Sequence, residues 1–201
     1  MPFIASSAYL DNYFSDESHF CQLYPLDVQM MDKSHWSPLI VVYKACQFLA
    51  DKDGARILDI GSGAGKFCLA GAYYKRKAVF TGVEQRSYLV DIAQAAREKL
   101  GRLEVSFIHG NFTRVNFNEY DHFYFYNSFF ENLTMAPRID DTIEHSLELY
   151  NYYNFFLRKK LEERPAGTKV VTFKSFGLEI PGNYELTDSQ MNNDLKFWIS
   201  R

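Results

Sequence analysis

The segment "RILDIGSGAGKFCLAGA", residues 56–72, decides the fold. A short apolar run leads into three glycines at alternate positions, Gly61, Gly63 and Gly65, and a small-residue helical pattern follows. A buried strand, a tight turn and a helix account for that order. Glycine opens backbone conformations closed to other residues, and it lets the chain come close to a ligand.

Outward from this segment, strand and helix patterns alternate. "HWSP" reads as a helix entry, with Ser37 as cap and Pro38 in the first helical position. That helix runs to about Ala50, with Leu39, Val42, Tyr43, Cys46 and Leu49 on one face. Strands are expected over 55–61, 78–84, 104–111, 121–128 and 168–176. Helices are expected over 66–74, over 87–101 with Gly101 closing it, and over 140–163 with Asp at its start and Lys/Arg near its end. Residues 183–190 and 195–201 suit a closing antiparallel pair. The alternation predicts an α/β fold, a mostly parallel sheet with helices on both faces and ligands at the carboxyl ends of its strands. Residues 1–35, aromatic and acidic, read as an arm of one or two short helices, and 36–201 as one globular domain.

Composition narrows the classes. With 201 residues and 47% apolar content, the chain can bury a core as one domain. A net charge of −3 gives no footprint for a long nucleic-acid track. Cys21, Cys46 and Cys68 lie far apart without a C-x-x-C pair, as expected of thiols in a reducing compartment. The first twenty residues have neither a basic start nor a sustained apolar segment. A cytoplasmic protein without a membrane partner is the expectation. His35, His109 and His122 lack metal-ligand spacing, and no G-x-S-x-G elbow is present.

Three ligand classes use a glycine turn after a first strand. A phosphate loop needs G-x-x-x-x-G-K-[ST], but Ile60 stands at its first position and Phe67 at its last. A dinucleotide turn needs G-x-G-x-x-G/A, and Lys66 or Cys68 falls where its third glycine belongs. The third pattern is apolar–Asp–apolar–G-x-G-x-G, here "LDIGSGAG". "FTGVEQR" ends the second strand at Glu84, 23 residues after Gly61, where a carboxylate can accept from ribose hydroxyls. "FIHGNFT" ends the third strand with Asn111 and Phe112.

This series resembles the class I, Rossmann-like S-adenosylmethionine (SAM) methyltransferases over roughly residues 35–180. It also looks like a bacterial group of that class with undefined substrates, and it is distantly similar to the non-SET protein-lysine methyltransferases. The resemblance implies a three-layer fold with a seven-stranded, mostly parallel sheet and an antiparallel last strand. It implies SAM as cofactor, S-adenosylhomocysteine as product, and no metal. Asp59, Gly61, Ser62, Gly63 and Gly65 of the first turn, with Glu84, Gln85, Asn111 and Phe112, would bind the cofactor. Trp36 and Ser37 would cover its methionine end, and Gly65 would let the following helix pack closely.

The fourth strand ends in "FYFYNSFFENL". Asn127 is followed by Ser128-Phe129, not by the Pro-Pro of many methyltransferases that act on nucleic-acid or glutamine amino groups. The segment is similar to the Asn-Asn-Phe type of the non-SET lysine enzymes, so Tyr126, Asn127 and Phe129 are the candidate catalytic residues. A protein lysine or other amine is the favoured acceptor, ahead of a small molecule and RNA. A SAM-binding module without catalysis is the alternative of another class. "NYYNFF", residues 151–156, suits helix core, and Glu179 and Tyr184 of "EIPGNYEL" suit the rim of the acceptor site.

Overall fold

The computed structural model describes residues 7–30, 36–101, 103–133 and 138–201. The helices are α1 (Ser7–Tyr13), α2 (Glu17–Cys21), α3 (Leu26–Gln29), α4 (Leu39–Leu49), α5 (Lys66–Tyr74), α6 (Ser87–Leu100) and α7 (Leu147–Glu162). The strands are β1 (Arg56–Ile60), β2 (Val79–Glu84), β3 (Val105–His109), β4 (His122–Phe125), β5 (Lys169–Phe173), β6 (Tyr184–Gln190) and β7 (Leu195–Ser200). They form one seven-stranded sheet in the order β3-β2-β1-β4-β5-β7-β6. β1 to β5 pair parallel, and β7 lies antiparallel between β5 and β6. This is the α/β fold expected from the alternation.

Parallel strands buried on both faces explain the apolar runs. Leu58 and Ile60 of β1 pack with Phe123 and Phe125 of β4 and with Leu157 and Leu161 of α7. Their neighbours Ile57 and Tyr124 face the opposite side, against α4 and α5. Period-two alternation thus feeds two cores from the same strands.

Among the described residues of the arm stand three short helices, where one or two were expected. Phe14, Phe20, Leu23, Tyr24 and Val28 are buried in the same core as Trp36 and α4. Residues 1–6 and 31–35, His35 among them, lie outside the described residues.

Two expected boundaries move for identifiable reasons. α4 begins at Leu39, with Pro38 ahead of it in extended geometry, and Ser37 makes no cap bond. The Leu39 N–H donates instead to Glu17 of α2, over 2.5 Å. Tyr43 is exposed while Val41 and Ala45 are buried, so the apolar face is turned from the expected one. The last long helix begins at Leu147, not Asp140, because Ser146 caps it by accepting from the Leu149 N–H over 3.1 Å. Residues 138–146 run outside the helix and return to the ends of β1 and β2.

Candidate active site

A cavity of about 770 Å³ opens at the carboxyl ends of β1, β2 and β4, within the ~300–1,000 Å³ usual for small-molecule sites. Parallel strands make this end the natural one, since their connecting turns converge there. Trp36, Ser37, Asp59, Gly61, Ser62, Gly63, Glu84, Gln85 and Phe112 all line it, and so do Tyr126, Asn127 and Phe129.

Asp59, on β1, is 4% exposed. The Cys68 thiol donates to its Oδ2 over 3.8 Å. Burial pushes its carboxyl up to about 8, against a small opposing pull from that thiol. A carboxyl so placed accommodates a ligand cation, which would restore its charge.

The glycines divide their work. Gly63 (φ +52) has nothing within 4 Å of where a Cβ would stand, so its bare backbone faces open space. A Cβ on Gly61 (φ +75) would meet Ser128 Cβ and Oγ at 2.4 Å. Gly61 therefore admits the turn after β4, whose Ser128 hydroxyl donates to the Ile60 carbonyl over 2.7 Å. Gly65 does not line the cavity, although its neighbours Gly63 and Lys66 do. A Cβ there would strike Phe107 and Ala93, so its role is the close packing of α5 on the sheet.

Glu84, at the end of β2, accepts from the Gly63 N–H over 3.0 Å and from the Arg86 N–H over 3.0 Å. Burial raises its carboxyl above the ordinary value, opposed by those N–H groups and the Arg86 charge. The Arg86 side chain is 3% exposed and meets three carboxylates: Glu131 at 2.7 Å, Asp140 at 3.1 Å and Glu84 at 3.8 Å. Asp140 also accepts from the Tyr88 hydroxyl and from Thr142. These contacts hold the segment 138–146 against the cavity, which Ile139, Ile143, Glu144 and His145 line.

Asn111 departs from its expected place. It does not line the cavity. Its amide donates to Gln85 Oε1 and to the Tyr153 hydroxyl, and its oxygen accepts from the Thr113 N–H. Capping a turn consumes the groups expected to read a ring. Phe112 does line the cavity, stacked on Phe129 at 5.0 Å. Ser37 and Trp36 line it too. The Ser37 hydroxyl lies 2.5 Å from that of Tyr124, and Trp36 packs on Tyr24. Glu179 and Tyr184 are buried away from the rim: Glu179 accepts from Ser175, and the Tyr184 hydroxyl donates to the Leu161 carbonyl.

Another part of the cavity wall is formed by the turn after β4 and by segments distant in sequence. Asn127 (φ +37) holds a strained backbone, and its carbonyl accepts from the Phe130 N–H over 2.9 Å. Lys174 and Phe176 line the same space from the β5 end, Asp194 from the β6–β7 turn and Lys196 from the start of β7. Arg86, Glu131, Asn132, His145 and Tyr153 also line it, and the sequence patterns did not single them out. Tyr153 sits in the stretch read as core, and its hydroxyl reaches back to Asn111.

Residues 51–139 match the family model of a methyltransferase domain. The match bears out the methyltransferase class expected from the sequence. Among solved structures, the fold is similar to an RNA methyltransferase from Salinibacter ruber in complex with S-adenosylhomocysteine. That likeness has a TM-score of 0.56 at 21% identity and covers 82% of this chain and 92% of that one. It is also similar to TrmN from Thermus thermophilus, with a TM-score of 0.54 at 15% identity over 81% of this chain and 48% of that one. Monomeric WbdD gives a TM-score of 0.56 at 13% identity over 85% of this chain and 43% of that one. The chain thus spans nearly all of the Salinibacter protein but less than half of the other two. A search of curated protein sequences gives no match. Among the described residues, no helix is long and apolar enough to cross a membrane.

Proposed function

We propose that this methyltransferase transfers the methyl group of SAM to an amine, with a protein lysine as the foremost acceptor. The observation that carries the cofactor half is the pair of buried carboxylates, Asp59 and Glu84, lining one cavity beside the open backbone of Gly63. Asp59 would hold the cofactor's ammonium group and Glu84 its ribose hydroxyls, with Gln85 beside it. Phe112 would pack on the adenine ring, and Trp36 and Ser37 would cover the methionine end. When bound, SAM supplies a methyl group already activated by a sulfonium sulfur.

The chain's own residues then have two tasks, alignment of the acceptor and exclusion of water. Tyr126, Phe129 and Phe130 give the acceptor wall an aromatic surface. Such a surface disfavours an ammonium relative to a free amine, which is the form that can attack. Asn127, in the turn after β4, would stand beside the acceptor's approach to the methyl group. Residues 1–35 would act as an arm that supports the Trp36 end of the domain.

Purified protein incubated with radiolabelled SAM and fractionated cell extract tests the acceptor. Label that protease releases, RNase does not, and acid hydrolysis returns as methyl-lysine supports the reading. Label confined to RNA or to small molecules would replace the lysine with that acceptor.

A further inference from the structure

The cavity wall carries buried polar atoms that the cofactor reading leaves unused. His145 and Asn132 both line the cavity. The His145 side chain is 3% exposed, and Asn132 is 8% exposed. Among the described residues, neither His145 Nε2 nor Asn132 Oδ1 has a hydrogen-bond partner. Burying a polar atom without a partner is costly, so two among the residues lining this cavity point to a ligand that satisfies them.

The third member is Glu131. Its Oε2 lies 3.6 Å from His145 Nε2, beyond direct hydrogen-bond reach. Oε2 is fixed by Arg86 at 2.7 Å and by the Ile139 N–H at 3.1 Å. Two acceptor atoms at such a spacing can share one donor between them. Asn132 is held as well, because its amide donates to the Phe129 carbonyl over 2.9 Å. Its oxygen is therefore the free end.

Charge points the same way. Arg86 is one cation against Glu84, Glu131 and Asp140, and all four side chains are mostly buried. The group is short of positive charge, and a cationic donor would supply it.

We propose that Glu131, Asn132 and His145 form the amine-binding subsite of the acceptor, with His145 Nε2 as the atom that takes its proton. The inference rests on the methyltransferase reading above and gives its acceptor half a set of residues. An amine enters as ammonium and donates to Glu131, Asn132 and His145. One N–H bond then breaks, its proton moves to Nε2 of the neutral imidazole, and the bonding pair stays on nitrogen as the lone pair that attacks. Arg86 acts only as a positioning residue, through Glu131.

The test uses n-butylamine as the probe and protein labelled with ¹⁵N in its histidines and loaded with S-adenosylhomocysteine. The expected result is a saturable shift of the His145 ring resonances with millimolar affinity. His145→Phe, folded by circular dichroism, binds the amine at least tenfold more weakly. His145→Gln keeps an acceptor oxygen, so it retains more binding than His145→Phe but loses amine-dependent formation of S-adenosylhomocysteine from SAM by a factor of ~10²–10⁴. Unmoved His145 resonances, or amine binding in His145→Phe as tight as in the unsubstituted protein, would overturn the subsite. Failure of the unsubstituted protein to bind S-adenosylhomocysteine at all would instead overturn the reading on which the subsite rests.

Discussion

The Gly63 N–H donates to Glu84 Oε2 over 3.0 Å, so the first glycine turn and the end of the second strand are bonded to each other. The two signals that mark a cofactor site in the sequence, 21 residues apart, are one structural unit. Disturbing either should disturb the other, while the sheet beneath stays intact.

Gly63→Arg tests the open side of that turn. A Cβ there meets nothing, although its φ of +52° disfavours a side chain. The left-handed conformation costs about 1–2 kcal/mol, which the fold should survive. Cofactor binding should fall by more than a hundredfold in isothermal titration while the circular dichroism spectrum is kept. Unchanged affinity in the folded variant would remove the cofactor from this turn.

Gly61→Ala should behave in the opposite way, as a stability lesion. Its Cβ would lie 2.4 Å from Ser128 in a residue with φ of +75°. Overpacking and backbone strain together predict a loss of about 2–4 kcal/mol in urea unfolding. Gly61→Ala combined with Ser128→Gly should recover part of it, and purely additive losses would contradict the contact.

Asp59 predicts a pH dependence whose sign can be worked out. An ordinary carboxyl loses its proton near 3.8, whereas burial holds the proton on Asp59 up to about 8. Between these values the folded, ligand-free protein keeps a proton that the unfolded chain has released. Its contribution to stability therefore falls as pH rises from about 4 to about 8. A bound cation reverses the preference, so SAM affinity should rise over the same window and binding should release a proton. Asp59→Asn should flatten both slopes and weaken SAM by about 10–100-fold above pH 8. Calorimetry in buffers of different ionisation enthalpy reads the proton directly, and zero release near neutral pH would contradict the assignment.

Arg86→Met should be far more damaging than a surface substitution. It leaves Glu84, Glu131 and Asp140 without their shared cation, and removing one partner of a buried pair costs about 3–5 kcal/mol. The unfolding free energy should drop by that amount, read as a lower denaturation midpoint at an unchanged slope. A loss below about 1 kcal/mol would mean that the cluster is solvated rather than buried.

The sheet was legible because its strands are short apolar runs between glycine and charged breaks, and α5 at Lys66–Tyr74 follows directly from its pattern. The first two cofactor signals were legible for the same reason: each sits at the end of such a run. What could not be read depends on partners far along the chain. Asp140 looks like an acidic helix start, but Arg86 and Tyr88 claim it, and the helix waits for Ser146. Asn111 looks like a ligand contact, but Gln85 and Tyr153 take its amide. Lys174 and Asp194 reach the cavity from loops, and Lys196 from the start of β7, in segments that carry no motif. Periodicity reports which face of an element is buried, and it is silent on which loop a buried polar group meets.

The central claim is that the Gly63–Glu84 unit and Asp59 hold SAM. Calorimetric titration of the purified protein with SAM, S-adenosylhomocysteine, NAD and ATP tests it most directly. The account predicts micromolar binding of the first two alone, one molecule per chain. Binding of NAD or ATP in their place, or no binding of any of the four by folded protein, would contradict it.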